Sequence, residues 1–240
     1  MAMTSGSVSR FDLTEQYTNI DNIRNRLNNH HFTQQAMEQD LNVIIRLDNQ
    51  IGNLTQAIRV ISGVIYDEYI RTRKHVINEG RDEQGLPNYQ LIRDPQIEVR
   101  VGSFWITNNG YVINDRKANR GFISHALHHA LEVPVCSCQI DIERIANEFR
   151  NNWIGAIDHR AGHWQKGVLY GDDIRQDDCV GETFAACSKN QVGGYTGYFG
   201  EETKFKATRE GSVVVYRDFT GDFDAYLRFF IDIISPFIIE

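Results

Sequence analysis

Ile44-Ile-Arg-Leu47-Asp-Asn-Gln-Ile51-Gly-Asn-Leu54-Thr-Gln-Ala-Ile58-Arg-Val-Ile61-Ser-Gly-Val-Ile65 is the stretch on which the reading of the fold turns. Isoleucine recurs every seven residues at 44, 51, 58 and 65, and Leu47, Leu54 and Ile61 each follow three residues later. Apolar residues at this spacing are the a/d signature of a helix that packs along a seam with another helix. Met37 extends the pattern upstream, and Glu68 and Thr72 end it. With Thr33 as N-cap and Glu79-Gly80 as stop, the pattern predicts one helix from about residue 33 to 78. A helix of that length needs a partner along its course, and Ile at a with Leu at d favours two parallel helices. Val43, Ala57 and Val64 at g, with Leu41 at e, widen the seam toward a third helix. The expected partner is therefore the chain itself, as a dimer or trimer, with another protein as the further candidate. The alternative is a helix folded back on its own chain.

Working outward, a short helix is expected over 13–27, with Asn28-Asn-His-His31 as a break. Residues 1–80 then form a helical, coiled-coil oligomerisation segment, 81–95 a linker, and 96–240 a globular domain. In that domain Ile97–Val101 and Ser103–Thr107 read as strands, and Asn108-Asn-Gly110 as the turn to a partner strand at Tyr111–Asn114. Gly121–Leu131 and Asp141–Trp153 read as helices and Val133–Ile140 as a strand. Lys204–Thr208 and Ser212–Tyr216 read as strands about a Glu210-Gly211 turn, and Phe223–Ile234 as a buried closing helix. The expected fold class is α+β: a long N-terminal coiled-coil helix followed by a mixed globular domain with antiparallel hairpins.

Composition sets limits on function. The chain has 240 residues, 41% hydrophobic, with a net charge of -7. It can bury a core, and its acidity argues against a general nucleic-acid binder while leaving room for a local basic groove. No stretch approaches the roughly 18 apolar residues of a membrane span. Phe229–Ile239 is interrupted by Asp232, Ser235 and Pro236, and the first twenty residues are too polar for a signal peptide. An intracellular, soluble protein is expected. Cys136, Cys138, Cys179 and Cys187 are expected as free thiols.

Several clusters carry candidate chemistry. Tyr170-Gly-Asp-Asp173 resembles the metal-binding turn of viral RNA polymerases and reverse transcriptases, but the polar segment after it does not supply the returning strand of a two-metal site. Asp172, Asp173, Asp177, Asp178 and Glu182 have the oxygen chemistry for calcium without the spacing of an EF-hand, and read otherwise as a solvated turn in which Asp178 caps a helix. Asp178-Cys-Val-Gly-Glu-Thr-Phe184 resembles the Asp-Cys-Ser-Gly start of NlpC-type cysteine peptidases. That resemblance implies Cys179 as nucleophile, with His163 or His159 upstream as its base in a permuted order because no histidine follows Cys179. His125 and His129, four apart on one helix, with Cys136 and Cys138, have the ligand types of a zinc site, which would make a zinc-stabilised interaction domain. No cofactor is expected beyond these zinc and calcium candidates. Gly193-Gly-Tyr-Thr-Gly-Tyr-Phe-Gly200 reads as an adaptable contact loop, with Tyr195, Tyr198 and Phe199 as a binding surface.

The leading expectation is a self-associating structural or binding protein that works through surfaces and not a reaction centre. It is similar in outline to viral or phage structural and assembly components. A cysteine hydrolase of peptidase or amidase type is the alternative.

Overall fold

The computed structural model describes residues 3–158, 166–219 and 221–239. Its elements run β1 (Thr4–Phe11), α1 (Ile20–Leu27), β2 (His31–Ala36), β3 (Gln39–Asn53), β4 (Arg59–Arg81), β5 (Pro87–Thr107), β6 (Tyr111–Asn114) and α2 (Arg120–Leu131). There follow β7 (Val135–Ser137), β8 (Gln139–Ile140), α3 (Ile142–Glu148), β9 (Asn151–Asp158), β10 (Lys166–Tyr170), α4 (Gly181–Ala186), β11 (Gln191–Thr196) and β12 (Thr203–Thr208). β13 (Ser212–Val215), α5 (Phe223–Phe229), which continues as a π-helical turn (Phe230–Ile234), and β14 (Ile238–Ile239) complete the chain. One antiparallel sheet has the order β10-β9-β11-β12-β13-β1-β6-β5-β4-β3-β2, with β7 alongside β1, and β8 pairs with β14 in a small second sheet.

This corrects the expected fold class. The coiled-coil helix is absent, and residues 31–81 are the strands β2, β3 and β4. Three local features select strand. Val43-Ile-Ile45, Val60-Ile61 and Val64-Ile65 are β-branched, stiff at χ1, and suited to a pleated surface. Gly52 and Gly63 weaken any helix that contains them. The Thr55 hydroxyl accepts from the backbone N–H of Ala57 at 3.3 Å and of Ile58 at 3.0 Å, closing a turn in the middle of the expected helix. The seven seam residues accordingly do not share a line. Ile61 and Ile65 are buried in one core and Leu54 in another, while Ile44, Leu47, Ile51 and Ile58 are half-buried at separate places on the sheet.

The sheet is packed on both faces, but over different halves. α1 and α2 cover one face of β3–β6, enclosing Phe11, Ile23, Leu27, Ile45, Ile65 and Phe104. α3 and α5 cover the opposite face of β9–β13, enclosing Ile145, Val192, Phe205, Val215, Tyr226 and Phe229. Neighbouring residues therefore enter different cores, as with Val60 and Ile61 or Val112 and Ile113. The other face is left open on β9–β13 and, away from the part that α5 covers around Val60, Trp105 and Ile113, on β3–β5. Among the described residues no helix is long and apolar enough to cross a membrane.

Candidate functional site

β4 and β5 outrun the rest of the sheet. β3 accompanies β4 only as far as the pair Val43–Asp67, and β6 accompanies β5 only to Asn114–Phe104. Beyond these pairs the two strands stay in register from Glu68–Val99 to Arg81–Pro87, with one bulge at Asn78–Gly80. The tip is a turn in which the Asp82 carboxylate accepts from Gln84 N–H at 2.9 Å and Leu86 N–H at 2.8 Å. The segment expected as a linker is this tip and the first half of β5. Residues 70–81 and their partners make a two-stranded arm ~40 Å long at about 3.3 Å per residue.

Opposed residues of an antiparallel pair point to the same side, so the register sorts the arm into two faces. One carries Tyr66–Val101, Glu68–Val99, Ile70–Ile97, Thr72–Pro95, Lys74–Arg93, Val76–Leu91 and Asn78–Tyr89. On it Val76, Tyr89, Leu91, Ile97, Val99 and Val101 are each 49–64% exposed, so the arm buries none of them within its own chain. The other face is charged at its root. Arg100 Nε lies 2.5 Å from the carboxylate of buried Asp67, its guanidinium lies over Phe122 of α2, and Glu98 accepts from Arg71 and Arg73 at 3.2 and 3.1 Å. Hydrogen bonds from Arg73, then Tyr69 and Arg71, hold the Glu98 carboxyl below the usual carboxylate range. Gly102 lets α2 close on this root, because a Cβ there would stand 2.7 Å from the Phe122 ring.

Two features of the apolar face are unsatisfied within the chain. Lys74 and Arg93 stand directly opposite each other, an arrangement that destabilises a strand pair, and among the described residues neither has a carboxylate partner. The face also continues onto open sheet, where Asn42, Ile44, Arg46, Tyr66, Glu68 and Val99 line a depression of about 290 Å³. The covered region begins at Trp105, which stacks on Phe223 of α5 with ring centroids 3.8 Å apart.

The other candidates lie elsewhere. Cys179 is exposed just before α4, and its N–H donates to Asp177, so Asp177 and not Asp178 caps this turn. His163 and His159 lie outside the described residues, so the pairing with Cys179 has no geometry here. Tyr170 ends β10 and Asp173 begins a single 3-10 turn, with no strand returning directly after Asp173; Asp172 lies 3.6 Å from Arg150. His125 and His129 lie on α2, Cys136 is exposed on β7, and Cys138 is buried, which pushes its thiol up to about 11. Among the described residues no three His, Cys, Asp or Glu side chains converge as they would around a metal ion, so neither the zinc nor the calcium candidate is assembled. Tyr195 is half-buried on the sheet, with the Arg150 guanidinium over its ring at 4.3 Å. Tyr198 and Phe199 instead pack against Phe229, and the Tyr198 hydroxyl, raised to about 12 by burial and by Asp232, donates to that carboxylate at 2.5 Å.

His129 is used in a different contact. Its ring stacks on Phe32 at 3.7 Å, and its Nδ1 lies 3.3 Å from Nε2 of His30. Burial, then the neighbouring His129, hold the His30 pKa below the ordinary histidine value, with Arg26 and His31 acting the same way and Glu132 against them. A histidine whose folded pKa is depressed contributes fully above its unfolded pKa of about 6.5 and loses that contribution as pH falls toward the folded value. Thermal stability is therefore expected to drop below neutral pH, and His30→Asn to reduce the drop between pH 7.5 and 5; an undiminished drop would assign it to other groups.

No family model and no curated protein matches the chain.

Proposed function

We propose that this is a self-associating structural protein in which two copies join through their β4–β5 arms, apolar face against apolar face, presenting two sheets from one rigid junction. The observation that carries the reading is the exposed apolar stripe with its uncompensated Lys74–Arg93 pair. An isolated two-stranded ribbon is marginal in water, and large exposed apolar stripes on soluble chains are interaction surfaces.

A second copy suits this face better than nucleic acid does. From Tyr66 to Val101 the cations Arg71, Arg73, Lys74, Arg81, Arg93 and Arg100 are outnumbered by Asp67, Glu68, Glu79, Asp82, Glu83, Asp94 and Glu98. An arm that tracked phosphates would carry a clear positive excess. The stripe is instead self-complementary. A two-fold axis between the Ile70–Ile97 and Thr72–Pro95 layers sets Lys74 and Arg93 over Glu68 of the other copy. The same axis sets Val76–Leu91 over Tyr66–Val101 and Asn78–Tyr89 over Val64–Ser103, the last layer before the covered region at Trp105. A stripe ~40 Å by roughly 10 Å buries about 800 Å² between two copies, and the sheet at Ile44 and Tyr66 brings the total to the ~1,000 Å² of a specific interface.

Light scattering at micromolar concentration tests this. Twice the 27.6 kDa chain mass is expected. Val76→Glu combined with Leu91→Arg, opposite charges on a facing pair, is expected to give the single-chain mass while the chain stays folded. A native chain of single mass, or a double variant that still pairs, would overturn the proposal.

A further inference from the structure

The open face of β9–β13 carries a second surface, on the half of the sheet away from the arm and independent of self-association. The register aligns Tyr170, Trp153, Gly193, Lys206 and Val214 in one row across β10, β9, β11, β12 and β13. Tyr195 and Lys204 pair in the row beside it, with Tyr216 hydrogen-bonded to the Lys204 backbone. Gly193 has no side chain to fill the space between Trp153 and Lys206, and a cleft of about 540 Å³ opens there, walled by Tyr170, Tyr195 and Tyr216. A second cleft of about 560 Å³ shares Lys206 and continues past Gln191, Thr208 and Lys117. The two adjoin at Lys206 and together make a trough across the strands.

The charge in this trough is unbalanced. Lys206 Nζ lies 4.2 Å from the centre of the Trp153 ring, and Lys204 Nζ 5.5 Å from that of Tyr195. Among the described residues neither ammonium has a carboxylate partner, whereas Arg150 beside them is held by Glu202 and Asp172, and Lys117 by Glu210. Burial, then the charge of Lys117, hold the Lys206 pKa below the ordinary lysine value. Flat aromatic faces interleaved with unpaired cations on an open sheet are the chemistry that stacks bases and neutralises the phosphates between them.

We infer that this trough binds single-stranded nucleic acid, with a base stacked on Trp153 or Tyr195 and the backbone phosphates at Lys204 and Lys206. A trough longer than one nucleotide favours a strand over a mononucleotide. The acidity of the chain as a whole does not conflict with this, because Lys117 pairs with Glu210, Asp172 and Glu202 share Arg150, and the two lysines leave the trough a positive excess.

Fluorescence anisotropy of a labelled mixed-sequence dodecamer, as single-stranded RNA and DNA, tests the assignment on the full chain. Binding at low salt that weakens as salt rises is expected. Trp153→Ala should weaken it at least about 5-fold, the low end for one base stacked on an aromatic ring, and Trp153→Phe should restore most of it. Lys204→Ala with Lys206→Ala, both surface changes that leave the fold intact, should reduce the slope of log affinity against log salt by about 1.4, at ~0.7 per phosphate contact. No binding at low salt, equal affinity for duplex or for AMP, equal competition by dextran sulfate, or an affinity unchanged in the lysine variant would each overturn the inference.

Discussion

Replacing Gly63 by alanine is expected to destabilise the chain by ~3 kcal/mol, the upper part of the range for forcing an extra carbon into a packed site. In β4 a Cβ at this position would stand 2.6 Å from the backbone oxygen of Arg46 and 2.9 Å from the Phe104 ring, which is itself fully buried. Neither neighbour can yield: one is the main chain of the adjacent strand, the other the centre of the core beneath α1 and α2. The melting temperature should fall by roughly 6–12 °C. The same substitution separates the two readings of this stretch. On a helix, glycine to alanine stabilises by about 1 kcal/mol, so a variant as stable as the native chain, or more so, would contradict the sheet.

The second large effect belongs to the arm. Glu68→Lys places a third cation against Lys74 and Arg93 across the proposed two-fold axis, and juxtaposed like charges cost several kcal/mol. Self-association should weaken about 1,000-fold, equivalent to roughly 4 kcal/mol. Lys74→Glu with Arg93→Glu should weaken it comparably by opposing the native Glu68. Combining all three changes should restore pairing, which equilibrium sedimentation would read as recovery of the native association constant. The native Glu68 also accepts from Asn42 N–H at 2.7 Å, so the restored complex should be somewhat weaker than the original. Failure of the triple variant to recover any association, while it melts as the native chain does, would remove the charge register from the account.

The hairpin at 103–114 was legible because its signals are local: Asn108-Asn-Gly110 supplies the turn, with Gly110 at φ +85°, and alternating residues flank it. α2 and the β12–β13 hairpin were legible for the same reason. The region from 31 to 81 was not, because its strands are apolar on both sides. Val60 enters one core and Ile61 the other, so the period of two that marks a half-buried strand is filled in. Seven-residue spacings survive by coincidence within such a run. Gly52, Gly63 and Thr55 carried the contrary signal and were outweighed by the isoleucines. The arm was hidden by Gly80, Pro87 and Pro95, which read as breakers although a strand with a free edge tolerates them. Its apolar face appears only when Val76 is set opposite Leu91 and Ile70 opposite Ile97. The trough is legible only in part. Tyr195 stood out in its glycine-rich loop, but Trp153 lies some fifty residues before Lys204 and Lys206, and strand register alone brings it into one row with Lys206, beside the row of Lys204.

The most direct test of the central claim excises the arm. Glu68 and Val99 are paired, so replacing Tyr69–Glu98 with Asn-Gly closes the hairpin through a two-residue turn that suits its twist. Both cores lie outside the excised segment. Light scattering of the native and shortened chains side by side should give twice the chain mass for the native protein and a folded, single-mass species for the shortened one. A native chain that runs as a single copy, or a shortened chain that still pairs, would contradict the account.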